Sequence, residues 1–419
     1  MNDIDIKLGK NHIWLPYTQM LNHLPQLDVE KTKGSKIYLK NGNILIDGIS
    51  SWWAVAHGYN HPHIIKNLIK QAKKLPHIML AGFANDATYR LAHRLAKFCE
   101  MDKVFFSDSG STAIEVAMKM AWQYHLNCGD INKKTFISFK NSYHGDTTGA
   151  MSLADLQNGM HQKFSNLLLK NYCFDLPKNL SDLNFIENFL TEKKSEIAGI
   201  FIEPIVQCAG GMKFHSVEIL EKIFEIAHKN HILTILDECA TGFYRTGKKF
   251  AYNYMKFHPD ILTVGKALTG GVVGLSATLT SNKIFEKFLD SSLEKALMHG
   301  PTFMGNALAC ACANASLDLF ENENYQEKVT KIEKFLQKNL RKFKEFTKVK
   351  EVRAIGAIGV IEIKTNWEEI KILRQKFIEK GVFLRPFADV IYVMPPLTIT
   401  KKDLSTIIRV IYEVLSEIK

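Results

Sequence analysis

Between Ile232 and Thr269 the chain commits itself to a narrow set of folds. An apolar run, Ile232-Leu233-Thr234-Ile235-Leu236, stops abruptly at two acids, Asp237-Glu238. After the loop Cys239–Gly247, a second run, Ile261-Leu262-Thr263-Val264, ends at Gly265-Lys266, with Ala267-Leu268-Thr269-Gly270-Gly271 behind it. Runs of four or five apolar and β-branched residues bounded by Gly or acid read as fully buried strands of a parallel sheet. In open α/β sheets, ligands bind just beyond the carboxyl ends of the strands. One strand therefore delivers a carboxylate to that edge, and the other delivers an amine.

That pair is what pyridoxal phosphate chemistry needs. A lysine forms a Schiff base with the cofactor aldehyde, and an acid keeps the pyridine nitrogen protonated so that the ring accepts electrons. Taken alone, the pair has plainer explanations. An acid at a strand end often caps the next helix, and with 54 Lys and Arg in the chain one lysine beside a strand is ordinary.

The flanking sequence narrows the choice. Lys36–Leu39 and Ile44–Ile46 flank Asn41-Gly42-Asn43, a hairpin turn. From about residue 84, helix and strand alternate. Leu91, Leu95 and Phe98 mark a helix face. Val104–Phe106, Thr135–Phe139 and Gly199–Glu203 read as strands, and Val217–Lys229 as a helix. Such alternation implies βαβ units and a mainly parallel sheet with helices on both faces. The first of these strands runs into Ser107–Thr112, small and hydroxyl residues at a helix start, which is either an anion cradle or a plain N-cap. After Gly300-Pro301-Thr302 the texture changes to a helix at Asn306–Phe320, a Lys/Glu-rich helix near Glu327–Phe346, strands at Val352–Ala354 and Val360–Ile363, and a last helix at Leu404–Ile418. The division expected is an N-terminal segment, 1–50, packing with a small α+β domain, 306–419, beside a large domain, 51–305.

Composition excludes several functions. The excess of 54 basic over 43 acidic residues gives +11, but the lysines are scattered along helices without regular aromatic interleaving, so solvated faces are expected rather than nucleic acid. Seven cysteines, odd in number and without CxxC pairs, point to a reducing compartment. Met1-Asn2-Asp3-Ile4-Asp5 lacks a signal-peptide core and no run approaches bilayer length, so the expectation is cytoplasmic. The histidines at 57, 61 and 63 lack a thiol or carboxylate at useful spacing, and no metal is expected. Gly242–Lys248 imitates a phosphate-binding loop, but Lys249 stands where the metal-binding Ser or Thr belongs.

Asp237-Glu-x-x-Thr-Gly-Phe-x-Arg245-Thr-Gly and Gly265-Lys-Ala-Leu-Thr-Gly-Gly271 resemble the subgroup III aminotransferases, pyridoxal-phosphate enzymes of fold-type I. Further blocks are similar to their biotin-biosynthetic branch: Ile13-Trp14-x-Pro16-Tyr17-Thr18, Asp47-Gly-x-Ser-Ser-Trp52-Trp53, His57–Pro62, Tyr143-His-Gly-Asp146, Met298-His-Gly300-Pro301-Thr302-Phe-Met-Gly and Arg385-Pro386-Phe387. One departure is Tyr244, where the family usually has Gly; it is expected to crowd the cofactor-edge loop while leaving Arg245 in place.

The resemblance implies roles by position. Lys266 is the Schiff-base lysine and proton shuttle, Asp237 the partner of the pyridinium nitrogen, and Glu203 a support of the cofactor's hydrogen-bond shell. Gly110 and Ser111 hold the phosphate, and Tyr143 lies against the ring. Pro301 is cofactor-binding, and Thr302 reaches the phosphate of the neighbouring subunit's cofactor, which implies a homodimer with shared sites. Tyr17, Trp52, Trp53 and Tyr392 wall the substrate pocket, Arg385 binds the acceptor carboxylate, and Asp146, Arg245 and Gly300 shape the same region. The implied substrates are S-adenosylmethionine as amino donor and 8-amino-7-oxononanoate as acceptor. Lysine as donor, or another ω-amine aminotransferase, are the alternatives.

Overall fold

Seven strands build the central sheet, in the order Lys103–Ser107, Ser276–Thr280, Ile261–Val264, Leu233–Asp237, Ile197–Ile202, Thr135–Phe139 and Tyr172–Phe174. The structure is a computed structural model that describes residues 4–157 and 159–417; Met1–Asp3 and Ile418, on which expectations about the chain's start and its last helix fall, lie outside the described residues. From Ile261–Val264 to the Tyr172 edge every neighbouring pair is parallel. Ser276–Thr280 is antiparallel to both of its neighbours, so Lys103–Ser107 joins the sheet through a reversed strand.

Burial follows the twofold period of a strand. Ile235 and Ile261 face a core cluster shared with the helix Gly110–Asn127, and Leu236 and Leu262 face the larger cluster that includes Leu220 and Phe224 of the helix Val217–Lys229. With helices on both faces, all four are completely buried. Each such side chain contributes about 1.5–3 kcal/mol relative to leaving it exposed, an upper figure because unfolded chains are partly compact.

Ser-Ala-Thr-Leu-Thr at 276–280 escapes an apolar-run reading because its hydroxyls interrupt the pattern, yet all five residues are buried. Each hydroxyl finds a carbonyl: Ser276 Oγ donates to Ser109 (2.5 Å), Thr278 Oγ1 to Ala113 (2.7 Å) and Thr280 Oγ1 to Asp260 (3.0 Å). Buried hydroxyls so satisfied cost little.

Towards the C-terminus, Val349–Ile355, Ile358–Ile363 and Val390–Val393 form an antiparallel sheet packed by the helix Tyr325–Leu340. This helix ends earlier than its Lys/Glu pattern suggests and continues as a 3₁₀ turn at Arg341–Glu345. The strands before residue 50 join this end of the chain: Ile44–Asp47 pairs in parallel with Val382–Phe383, Ile46 opposite Val382 and Asp47 opposite Phe383. The helix Ala307–Asn322 packs instead on Pro62–Lys74, on Asp86–Phe98 and on the Lys266–Thr269 turn. Its Ser316 hydroxyl donates to the carbonyl of Ala267 (3.3 Å) and contacts Nε2 of His57 (2.8 Å), which braces the lysine turn from behind.

His57 also meets the Tyr325 hydroxyl (2.5 Å), and His63 pairs with Asp318 (2.8 Å). Among the described residues no group of three or more His, Cys, Asp or Glu is placed to hold a metal ion, and no helix is long and apolar enough to cross a membrane.

Candidate active site

Asp237 and Lys266 meet at the carboxyl edge of the sheet because of strand register. Asp237 pairs with Thr263, three residues before Lys266, across two adjacent parallel strands. Asp237 is buried and heavily tied: its carboxylate accepts from Cys239 N (3.0 Å), Thr263 Oγ1 (3.3 Å) and His144 Nδ1 (3.0 Å). Burial pushes its carboxyl up, but the His144 contact, the Lys266 ammonium and the Cys239 amide outweigh burial, and the net result lies below the ordinary carboxylate value. The acid is therefore held ionised in the interior. Lys266 opens a 3₁₀ turn at φ 45°, and its Nζ lies 5.2 Å from the centre of the Trp53 ring.

The helix start read as an anion cradle or a plain N-cap lies beside them. The 18-residue helix Gly110–Asn127 begins with a capping box in which Ser109 Oγ accepts from Thr112 N (3.3 Å) and Thr112 Oγ1 accepts from Ser109 N (3.0 Å). Cys239 underlies the cradle, its Sγ 3.3 Å from where a Cβ at Gly110 would stand. The Tyr143–Asp146 loop closes the other side. Gly145 sits at φ 129°, and a Cβ there would stand 2.0 Å from Ser111 Oγ, so only glycine permits this approach. Ser111 Oγ in turn accepts from Asp146 N (3.0 Å).

Glu203 lies beyond the strand Ile197–Ile202 and accepts from Tyr143 N (2.9 Å) and Cys208 N (3.1 Å). Burial pushes its carboxyl up to about 7, opposed by His144 and reinforced by the nearby Asp237 charge. Glu203 thus fixes the backbone under Tyr143. Its neighbour in the same interior, Glu238, is likewise pushed by burial to about 7, and its carboxylate holds Ala251 N, Tyr252 N and the Thr241 hydroxyl.

The aromatic wall assembles from distant parts of the chain. The Tyr17 and Tyr143 hydroxyls are 3.0 Å apart and both donate to Asp146 Oδ2, Tyr143 at 3.0 Å and Tyr17 more closely. His161 Nε2 binds the other oxygen (3.1 Å), and its ring lies 6.0 Å from Tyr143 in a stacked arrangement. The His161 hydrogen bond is the main reason the Asp146 carboxyl falls below its ordinary value. Tyr17 meets Trp52 edge-on (6.1 Å), and the Arg385 guanidinium lies 4.8 Å over Trp52. Trp53 turns inward against Tyr392 (6.3 Å). Arg374 donates twice to the carbonyl of Pro386 (3.0 and 2.7 Å), pinning the residues behind Arg385. Arg245 is buried; Nη1 donates to the carbonyl of Pro395 (2.6 Å) while Nη2 has no hydrogen-bond partner among the described residues.

Tyr244 does not crowd the cofactor edge as expected. Its ring packs 5.9 Å from Phe320 and 6.0 Å from Tyr325, inside an aromatic cluster. The departure from glycine is felt in the backbone instead, at φ 67°. Trp52 and Trp53 also depend on unusual backbone: Ser50 to Trp53 all have positive φ, between 51° and 74° except for Ser51 at 47°. Left-handed backbone costs roughly 1–2 kcal/mol per L-residue.

Gly300, Pro301 and Thr302 enter none of the contacts above among the described residues. They lie on the partly exposed stretch 297–305, which is anchored through His299 Nδ1 to Lys119 (2.9 Å) and through the Gly305 carbonyl to the Thr88 hydroxyl (2.6 Å). No hydrogen bond links Thr302 to the other site residues described.

Three participants are not distinguished by sequence pattern: His144, His161 and Cys239. His144 shares a motif with Tyr143 and Asp146, which is the only signal pointing to it. Lone His161 and Cys239 carry none: His161 meets its partner 15 residues away, and Cys239 acts through its backbone amide.

Helix start, buried acid and sheet-edge lysine together fit pyridoxal phosphate: Gly110–Thr112 would hold its phosphate, Asp237 would meet its ring nitrogen and Lys266 its reactive carbon. This chain belongs to the class-III aminotransferases, whose family model matches residues 17–415. At 41% identity it is similar to the adenosylmethionine-8-amino-7-oxononanoate aminotransferase of Buchnera aphidicola from Schizaphis graminum, over 98% of this chain and 96% of that one. The enzyme of the same name from Helicobacter pylori is 37% identical over 98% of each. The crystal structure of the Methanocaldococcus jannaschii enzyme of that name superposes with a TM-score of 0.93 at 35% identity, covering 99% of both chains. An amine transaminase from an uncultivated Pseudomonas species, in its PLP-bound form, reaches 0.90 at 26% identity over 97% of this chain and 99% of that one.

Proposed function

We propose that this aminotransferase moves an amino group from S-adenosylmethionine to 8-amino-7-oxononanoate, giving 7,8-diaminononanoate for biotin synthesis, with pyridoxal phosphate as cofactor. The observation that carries the reading is the Trp52–Arg385 pair beside Tyr17, backed by the full-length similarity to enzymes of that name. An acceptor with a long alkyl chain and a distal carboxylate suits an apolar wall ending in a guanidinium that makes no hydrogen bond among the described residues.

When bound, the cofactor supplies the electron sink that lets an amino group leave one carbon and join another. The chain's residues do the rest. Asp237, ionised and fixed by three donors, keeps a proton on the ring nitrogen. Lys266 would tether the reactive carbon and, when not bound to it, would carry a proton between it and the substrate carbon. Gly110 and Ser111 would hold the phosphate at the helix start, and Tyr143, set by Glu203, would cover the ring. The same site serves both substrates in turn, so the kinetics are ping-pong.

Asp146 bears on the donor. Both of its oxygens are already engaged, by Tyr17, Tyr143 and His161, so it is poorly disposed to take the distal ammonium of lysine. The aromatic faces of Tyr17, Trp52 and Tyr143 suit an adenine or a sulfonium cation instead. Product analysis tests this: 7,8-diaminononanoate should form from 8-amino-7-oxononanoate with S-adenosylmethionine. Formation only with lysine would change the donor, and formation with neither would reject the reading.

The functional unit is a homodimer with shared sites. Supporting this, Pro301 and Thr302 lie on a stretch flanked by the exposed Met298 and Phe303. Mixed dimers of inactive Lys266→Ala and inactive Thr302→Ala subunits should regain activity, since each hybrid contains one intact site. No recovery, with subunit exchange verified, would place both residues in the same subunit's site. All seven cysteines are unpaired, in keeping with a reducing cytoplasm.

A further inference from the structure

The turn that carries both tryptophans has the longest run of left-handed non-glycine backbone among the described residues. Ser50, Ser51, Trp52 and Trp53 sit at φ 51°, 47°, 56° and 74°. No glycine relieves any of them. Strain of this kind persists only where the surroundings over-determine it, and it gathers at functional sites.

The over-determining group is Asp47, the last residue of the strand Ile44–Asp47 and completely buried. Oδ1 accepts from Ile49 N (2.8 Å), and Oδ2 accepts from Ser51 N (2.9 Å) and from the Tyr59 hydroxyl (2.7 Å). The Ser50 hydroxyl is held separately by the carbonyl of Met394 (2.8 Å). One carboxylate thus gathers the amides on both sides of the turn and is itself anchored by Tyr59. The consequence is directional. Trp53 turns inward to Tyr392 and the Lys266 ammonium, and Trp52 turns outward to lie under Arg385 and edge-on to Tyr17. Asp47 also pairs with Phe383, two residues before Arg385, so one point of sheet register places both the tryptophan and the arginine it stacks on.

We propose that Asp47 is a positioning residue for substrate binding: its carboxylate clamps the Ser50–Trp53 turn in its left-handed form and so sets Trp52 and Trp53 in the pocket wall. The kinetic part rests on the substrate reading above; the conformational part does not. Asp47 touches no reacting atom, and its effect runs through the backbone it holds.

The test uses hydrogen–deuterium exchange on the purified holoenzyme together with steady-state kinetics. In Asp47→Ala, amides in a peptide spanning residues 46–56 should exchange at least about tenfold faster, while the Leu233–Asp237 strand keeps its protection. KM for 8-amino-7-oxononanoate should rise about tenfold or more, with kcat changed by less than about threefold, the pattern of lost binding rather than lost chemistry. Glycine accepts left-handed backbone without the clamp. Asp47→Ala/Ser51→Gly should therefore recover most of the KM, and Asp47→Ala/Ser51→Ala should recover none. Should Asp47→Ala fail to fold, Asp47→Asn, which keeps one acceptor oxygen, should show the same changes at smaller size.

Unchanged exchange in the 46–56 peptide of Asp47→Asn or Asp47→Ala would overturn the proposal. So would equal behaviour of the Gly and Ala double variants. If 8-amino-7-oxononanoate is not a substrate, only the KM arm is lost, and the exchange result decides on its own.

Discussion

Lys266→Ala is expected to give a folded protein that binds cofactor and has almost no multiple turnover. Among the described residues the lysine makes no hydrogen bond; its ammonium lies over the Trp53 ring, and the turn is braced through the backbone by Ser316. Truncation therefore leaves the fold intact. The phosphate cradle and Asp237 also remain, so cofactor should still be retained after gel filtration. What disappears is the tether to the reactive carbon and the group that moves the proton. Positioned proton transfer alone is worth ~10²–10⁴-fold, and losing the tether adds to that. Near-normal turnover by this variant, measured as 7,8-diaminononanoate formed per subunit, would remove Lys266 from the chemistry.

Asp237→Asn is expected to lose ~10²–10³ in kcat/KM, comparable to removing one preorganised electrostatic group from an active site. Volume is conserved, so packing changes little. The change is in charge: the Asp237 carboxyl lies below the ordinary carboxylate value because His144, Lys266 and the Cys239 amide surround it, and an amide cannot keep a proton on a ring nitrogen. A loss of less than about tenfold, or ~1.4 kcal/mol, would contradict the role assigned to it. The melting temperature should be measured alongside, because only a rate loss without unfolding bears on the chemistry.

The strands that carry these two residues are legible in the sequence because both faces of each are buried, which leaves uninterrupted apolar runs bounded by an acid or a glycine. Ile261–Val264 is observed with the limits the sequence suggests, and Leu233–Asp237 starts one residue late and takes in the acid. The Gly110 helix start is equally local, a strand, a few small residues and a capped helix. Ser276–Thr280 is hidden, since its buried hydroxyls are satisfied by carbonyls from Ser109, Ala113 and Asp260, far away in sequence. The left-handed turn at Ser50–Trp53 is hidden for a related reason. Nothing in Ser-Ser-Trp-Trp asks for positive φ, and the conformation is imposed by Asp47, Tyr59 and Met394. The cluster of Tyr17, Trp52, Tyr143 and Arg385 becomes visible only through resemblance, as its members come from four separate regions. His161, which completes the Asp146 network, is missed even so, because a lone histidine between unpatterned residues carries no signal.

The central claim is that S-adenosylmethionine donates the amino group to a cofactor held by Lys266, Asp237 and the Gly110 helix start. One half-reaction tests it most directly. The holoenzyme is mixed with S-adenosylmethionine alone, and the visible absorbance of the bound cofactor is followed, with lysine alone in a parallel run. The account predicts that S-adenosylmethionine bleaches the band without any acceptor, that 8-amino-7-oxononanoate then restores it, and that lysine does neither. Bleaching by lysine with none by S-adenosylmethionine, or no response to either donor, would contradict it.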